Sequence, residues 1–289
     1  MVFLNGKLLP LEQASVSVLD RGFIFGDGVY ELVPVYSRVP FRLDEHLARL
    51  ERSLAAVSIR NPYSRAQWRA HLHALIDAQA HEDQGVYFQV TRGVAKRDHA
   101  FPRDAEPTVF MMANPLVNPP PAQVEAGAAA VSAQDFRWLR CDIKSISLVG
   151  NVLLRQLSAE AGAAETILFR DGKLTEASAS NVFIVKRGVV VAPPKSSLIL
   201  PGITYDVVAE LARANAMPLE LREVAEAEVR AADEIWVTSS SKEVLAIVSL
   251  DGKPVGDARP GAAFRRMYRL YQDFKQQVMR AGKREAVSA

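Results

Sequence analysis

The 289-residue sequence predicts an α+β fold in two domains. Three observations carry this. Hairpin signals and amphipathic helices follow one another without steady β-α-β alternation, which argues against a doubly wound sheet. A proline cluster, PLVNPPPAQ at 115–123, breaks the chain into a shorter and a longer part. The hydrophobic content of 49% is ample for two cores. The boundary is placed between 118 and 119, giving a smaller N-terminal α/β domain over 1–118 and a larger C-terminal domain over 119–289. A long loop inside one domain is the other reading of the proline run.

MVFLNGKLLP reads as a hairpin, with Asn5-Gly6 supplying the positive backbone angles of a tight turn. Residues 44–59 predict a helix with Asp44 as cap and Leu47, Leu50, Leu54 and Val57 on one face. A second helix starts at Ser64, with Trp68, Leu72, Leu75 and Ile76 inward. VYFQVTRG (86–93) and TVFMMAN (108–114) are rich in β-branched and aromatic residues and predict strands. Past the prolines, 126–133 is alanine-rich and 151–161 predicts a helix. ETILFRDGKLTEAS and NVFIVKRGVVVAPP each read as strand, turn, strand, turning at Asp171-Gly172 and Arg187-Gly188. Residues 202–217 predict a capped helix, and EIWVTSSSKEV (234–244) a strand running into a polar loop.

The formal net charge of +2 is small and dispersed, so no nucleic-acid footprint is expected. No apolar run is long enough to span a bilayer, and the N-terminus lacks the basic and apolar regions of a secretory signal. The single cysteine, Cys141, fits a reducing compartment, and the cytoplasm is the expected location. His71 and His73 stand two apart on a predicted helix and so face different sides. His46 reads as a helix-surface residue, and no metal site is expected.

Lysine is scarce, with ten against 25 arginines. Lys144 differs from most of the others: it lies in RWLRCDIKSISLVGN, among apolar residues and just before a helix. Reduced solvation there frees an amine to attack an aldehyde, although a snorkelling surface lysine fits the segment as well. In LTEASASNVFIV, Glu176 stands near Ser178, Ser180 and Asn181, as a carboxylate paired with a heterocyclic nitrogen would, or as a polar turn would. LILPGITYDVV opens a helix at Gly202 with Thr204 as cap, and helix N-termini suit phosphate. Ser239, Ser240 and Ser241 offer hydroxyls to the same anion. Arg97 and His99 stand two apart in TRGVAKRDHAFP, suited to a carboxylate or merely to a solvated basic loop. RGFIFGDGVYE (21–31) does not match the dinucleotide fingerprint.

Taken together, DRGFIFGDGVYE, FRLDEHLARL, YFQVTRG, RWLRCDIKSISLVGNVL, LTEASASNVF, ILPGIT and the serine loop resemble, in order, the class-IV aminotransferases. The resemblance runs along nearly the whole chain and is nearest to the bacterial D-amino-acid (D-alanine) branch. It implies a two-domain, fold-type-IV enzyme with pyridoxal 5'-phosphate at the domain interface. It also implies transamination between D-amino acids and 2-oxo acids by ping-pong kinetics. In that pattern Lys144 holds the cofactor and Glu176 pairs with its ring nitrogen. Arg49, Ile203, Thr204, Ser239 and Ser240 take the phosphate, and Ser180 lies close to the cofactor. Tyr30, Arg97 and His99 match the group that traps the substrate carboxylate, the latter two from the partner subunit of a homodimer. Tyr205, Pro201, Ala177 and Ala179 depart from the pattern's usual residues.

The same fold serves L-branched-chain aminotransferases, R-selective amine transaminases and an aminodeoxychorismate lyase; Arg97–Asp98–His99 favours the D-specific enzymes. From a different class comes an idle relative that binds the cofactor for regulation. Retention of both Lys144 and Glu176 argues against it.

Overall fold

The computed structural model describes residues 1–281, so residues 282–289 of the expected C-terminal domain lie outside it. Two units are present. The first comprises Met1–Leu116, Ile143–Leu148 and the described residues from Val278 on; the second comprises Val117–Asp142 and Val149–Gln277. Lys144 therefore belongs with the N-terminal residues, although it follows the proline run.

In the first unit, β1 (Val2–Leu4) and β2 (Lys7–Leu9) form the hairpin, with Asn5 at φ 45° and Gly6 at φ 90°. A short helix α1 (Arg21–Phe25) is capped by Asp20, whose side chain accepts from the Gly22 N–H, and is ended by Gly26 in the left-handed region. There follow β3 (Gly28–Tyr36), β4 (Val39–Pro40), α2 (Leu43–Ala56), α3 (Arg65–Asp77), β5 (Gln84–Thr91) and β6 (Thr108–Pro115). The strands form one antiparallel sheet in the order β2-β1-β6-β5-β3-β4.

Leu47, Leu50 and Leu54 of α2 and Trp68, Leu72, Leu75 and Ile76 of α3 are buried in one cluster with Phe3, Val33, Phe88 and Met111. Full burial of each such side chain is worth roughly 1.5–3 kcal/mol, which makes the cluster the main support of this unit. Ser64 and Gln67 form a reciprocal capping box on α3. Asp44 does not cap α2. Arg42 does so in a left-handed conformation with no side-chain cap, and Asp44 sits inside the first turn, where a carboxylate suits the helix dipole.

The second unit opens with α4 (Pro121–Ala126). Pro121, the last of the cluster's prolines, starts this helix, since a first-turn residue needs no N–H partner. Next come β7 (Ala128–Gln134), α5 (Val149–Glu160), β8 (Glu165–Arg170), β9 (Lys173–Ala177), β10 (Asn181–Lys186), β11 (Val189–Ala192), α6 (Ile203–Ala214), β12 (Leu219–Leu221), α7 (Glu226–Arg230), β13 (Glu234–Ser239), β14 (Glu243–Leu250), β15 (Lys253–Pro254) and α8 (Ala262–Phe274). The sheet runs β12-β11-β10-β13-β14-β7-β8-β9, with β15 added at β14.

The alanine-rich stretch is thus a strand, β7, lying parallel between β14 and β8 with Ala128 and Ala130 buried. Ile167, Val182, Ile184, Val191, Ile235, Val237 and Leu245 fill the core. No helix among the described residues is long and apolar enough to cross a membrane.

Candidate active site

In the first unit, the main chain of Lys144 is held from two sides: its N–H donates to Ser53 Oγ at 3.2 Å, and its carbonyl accepts from the Tyr30 N–H at 2.9 Å. Its Nζ stands 4.2 Å from the centre of the Tyr30 ring, and no carboxylate among the described residues pairs with it. Tyr30 stacks on Tyr87 at 5.5 Å, and the Tyr87 hydroxyl donates to Gln89 at 2.7 Å. Burial, with Tyr30 nearby, pushes the Tyr87 hydroxyl up to about 12, so it stays protonated. The half-buried amine is fixed in backbone and unencumbered at its tip, as a nucleophile requires.

Arg49 grips the fully buried Glu31 through two parallel bonds of 2.8 Å, Nε to Oε1 and Nη2 to Oε2. His46 Nδ1 lies 2.8 Å from Glu31 Oε2. His46 is therefore completely buried, not on the helix surface: the α2 face that carries Leu47 and Leu50 also turns His46 inward to a charge on β3. Burial, with Arg49 and Lys144 nearby, lowers the imidazole pKa against the pull of Glu31, which favours the neutral ring. In the tautomer that donates from Nδ1 to Glu31, Nε2 is a bare acceptor. It is buried and lacks a partner among the described residues. Burial opposes ionisation of Glu31, yet Arg49 and His46 together hold it well below the ordinary carboxylate range.

Arg97 and His99 lie exposed on the loop between β5 and β6. Both lean on one ring: the Arg97 guanidinium is 5.4 Å from the centre of Phe25, and the His99 ring is 5.5 Å from it.

In the second unit, Glu176 lies near the end of β9 and is buried. Its Oε1 accepts from Arg137 Nη1 at 2.6 Å, and its Oε2 accepts from Asn181 Nδ2 at 3.1 Å and the Leu200 N–H at 3.0 Å. Burial pushes its pKa up to about 7, against the pull of Arg137 and Leu200. Arg137 is held in turn by Asp135, at 3.0 Å from Nε and 2.9 Å from Nη2.

The hydroxyls that sequence places beside Glu176 serve another acid. Ser178 and Ser180 both donate to the buried Glu165, Ser180 at 2.8 Å, and Lys242 Nζ meets Glu165 at 3.0 Å. Strand alternation would keep positions 176, 178 and 180 on one face, but β9 ends at Ala177 and the bend over 178–180 hands the two hydroxyls to Glu165 instead. Arg137, Glu165 and Lys242 escape sequence reasoning because the contacts that join Arg137 to Glu176 and Lys242 to Glu165 span 39 and 77 residues of chain. The one local hint is a charged Arg137 between apolar Phe136 and Trp138.

Helix α6 follows Gly202 as N-cap with no side-chain cap bond, so Thr204 does not cap it. Gly202 makes a close approach: a Cβ there would overlap Asn181 Oδ1. Ser239 Oγ accepts the Lys242 N–H at 3.1 Å, closing the turn that carries Ser240. Next to it, the buried Thr238 Oγ1 has no partner among the described residues. Tyr205, at a position departing from the family pattern, is buried with its hydroxyl on the Pro193 carbonyl at 2.9 Å. Among the described residues no cluster suits a metal ion.

Comparison with known proteins matches residues 28–250 to the model of amino-transferase class IV. A D-alanine aminotransferase of Bacillus licheniformis is 41% identical over 260 residues, 90% of this chain and 92% of that protein. One from Staphylococcus aureus (strain MW2) is 36% identical over 274 residues, covering 94% of this chain and 97% of that one. Among solved structures, the branched-chain amino acid aminotransferase of Escherichia coli superposes with TM-score 0.86 at 22% identity, covering 99% and 96% of the two chains. A branched-chain amino acid aminotransferase solved with pyridoxamine 5'-phosphate, from T.th., gives 0.89 at 23%, covering 94% and 92%. At these identities the solved structures speak for the fold, whereas the family match and the D-alanine relatives extend over most of the sequence. This chain belongs to the class IV aminotransferase family.

Proposed function

We propose that this enzyme transfers the amino group of D-amino acids such as D-alanine to 2-oxo acids such as 2-oxoglutarate, using pyridoxal 5'-phosphate. One observation carries the reading: D-alanine aminotransferases match at 34–41% identity over at least 90% of the chain, well above the 22–24% of the branched-chain structures.

The residues present fit the cofactor. A buried carboxylate, Glu176, fixed by Arg137, Asn181 and the Leu200 N–H, would in its ionised form be the counter-ion of a protonated ring nitrogen. The uncapped start of α6 at Ile203 and Thr204, the Ser239–Ser240 turn and the unpartnered Thr238 Oγ1 offer donors to a phosphate. Lys144 offers an amine that no carboxylate among the described residues pairs with. Arg49 would give the phosphate a cation already oriented by Glu31. Ser180 is engaged by Glu165 and would act near the cofactor through that acid. When bound, the cofactor draws electrons from the substrate α-carbon.

The chain's own groups then do the positioning and the proton work. Nζ of Lys144 takes the α-proton of the amino donor, with the Tyr30 ring beside it keeping that amine from straying. Tyr30, Arg97 and His99 receive the substrate carboxylate, and its orientation selects which face of the α-carbon meets Lys144, hence D over L. The donor leaves as a 2-oxo acid before the second 2-oxo acid binds, so the kinetics are ping-pong.

The reading includes a homodimer in which Arg97 and His99 serve the partner's site, supported by exposed apolar side chains such as Phe23, Phe101, Val149 and Val152. Sedimentation showing only monomer would remove that part. It also includes a cytoplasmic location, which cell fractionation tests. The function itself is tested by rates with D-alanine and with L-leucine, 2-oxoglutarate being the acceptor. D-alanine is expected to be preferred, and preference for L-leucine would overturn the D assignment.

A further inference from the structure

Loop 92–107, which carries Arg97 and His99, is tied near its start to residues 19–21 by main-chain bonds, Ala95 N–H to the Leu19 carbonyl and Arg21 N–H to the Gly93 carbonyl. A buried side chain also reaches the peptides around His99. Arg21, at the start of α1 and only 4% exposed, sends Nη1 to the Asp98 carbonyl at 2.5 Å and to the Ala100 carbonyl at 3.4 Å. These are the carbonyls on either side of His99. The Ala100 N–H also closes a turn around His99 by donating to Asp98 Oδ1 at 3.1 Å.

Arg21 is itself aimed by Asp27, whose Oδ2 is 2.7 Å from Arg21 Nε and 2.8 Å from Arg92 Nε. Arg92, at the root of the loop, donates to the Val57 and Ser58 carbonyls at 2.7 and 2.8 Å, and its guanidinium lies 3.7 Å from the centre of the Phe101 ring. The base of the loop is thus tied to the end of α2 and its far side to α1. Phe25, four residues after Arg21, is the ring on which both Arg97 and His99 rest.

A helix end that only needed closing would not require a buried guanidinium spread over two carbonyls of a loop some 77 residues away. Burying a cation is costly unless it is paired and hydrogen-bonded; here the charge is paired with Asp27, and two further hydrogen bonds go to the peptide groups that flank His99.

We propose that Arg21, oriented by Asp27, is a positioning residue for carboxylate capture: it fixes the Arg97–His99 loop in the geometry that receives the substrate carboxylate. This rests on the reading that Arg97 and His99 receive that group. Arg21→Lys keeps the charge opposite Asp27 but cannot span both carbonyls.

The test uses the cofactor-loaded enzyme, with Arg97→Ala as control for the underlying reading. Arg21→Lys is expected to raise KM for D-alanine and Ki for propionate about tenfold, the size of one charge-assisted hydrogen bond, with kcat, cofactor content and melting temperature little changed. Amide exchange at residues 98–101 is expected to quicken in Arg21→Lys but not in Arg97→Ala. Unchanged KM, Ki and exchange in Arg21→Lys, with Arg97→Ala impaired, would overturn the positioning role alone. An Arg97→Ala variant with normal KM would overturn the reading beneath it, and the positioning role with it. Should Arg21→Lys fail to fold, Asp27→Asn leaves Arg21 in place without its orienting charge and is expected to show the same KM-only loss; an unaltered KM there would equally overturn the proposal.

Discussion

Arg137 Nη1 stands 2.6 Å from Glu176 Oε1 inside the second unit, and the same guanidinium is forked onto Asp135. The carboxylate that the family pattern assigns to the cofactor's ring is thus backed by a fixed cation and two further donors. Burial nevertheless pushes its pKa up to about 7, above the ordinary 4.5. A carboxyl raised on folding contributes stability below its unfolded value, and that contribution is lost as pH rises through the folded value.

Without cofactor, the wild-type protein is expected to lose stability between about pH 5 and pH 8 relative to Glu176→Gln, which cannot titrate. Urea midpoints across that range check this; parallel curves for the two proteins would contradict it. With cofactor, Glu176→Gln is expected to lower kcat on the order of 100-fold, since the electrostatic support of the reacting ring is lost.

Gly202→Ala probes the approach of α6 to the same carboxylate. Its φ of −70° suits any residue, so the damage is purely steric: the new methyl displaces Asn181, which donates to both Glu176 and the Leu200 carbonyl. The expected cost is about 1–3 kcal/mol of stability, as for other overpacked sites, with weaker retention of the cofactor. Calorimetry and dialysis of the loaded variant measure the two effects.

Glu31 makes the opposite pH statement. Held below the ordinary 4.5, it contributes stability above that pH, and the contribution is lost as acid protonates it. Glu31→Ala removes the carboxylate that Arg49 and His46 share in the core and is expected to cost about 3–5 kcal/mol in denaturant unfolding at neutral pH. A loss below about 1 kcal/mol would show that these buried groups find other partners.

Much of this fold is legible in local pattern. The Asn5-Gly6 hairpin, the Ser64 cap and the inward faces of α2 and α3 follow from turn chemistry and helical period, which act over a few residues. Lys144 stands out through its apolar surroundings. What stays hidden depends on contacts distant in sequence. His46 shares a helix face with Leu47 and Leu50, but only the pairing of α2 with β3 supplies the Glu31 that makes its burial tolerable. Ser178 and Ser180 look like companions of Glu176 along the chain, yet the bend after β9 hands them to Glu165. The alanines of β7 carry no strand preference and become a strand because neighbours on both sides offer ladders.

Lys242 links that hidden acid to the turn bearing Ser239 and Ser240. Lys242→Met leaves Glu165 buried without its cation. The expected result is a protein that binds pyridoxal 5'-phosphate roughly tenfold more weakly, the size of one charge-assisted hydrogen bond, while its affinity for pyridoxal, which lacks the phosphate, falls much less. Titration of the cofactor-free protein with each compound separates the outcomes; equal losses would mean that the pair supports the fold and not the phosphate.

The central claim is that Lys144 carries the cofactor. The most direct test is to reduce the cofactor-loaded enzyme with borohydride, digest it, and find by mass spectrometry which peptide has gained the pyridoxyl group. The peptide containing Lys144 is expected to carry it, in wild type and not in Lys144→Ala. A label on another lysine, or none after loading with pyridoxal 5'-phosphate, would contradict the claim.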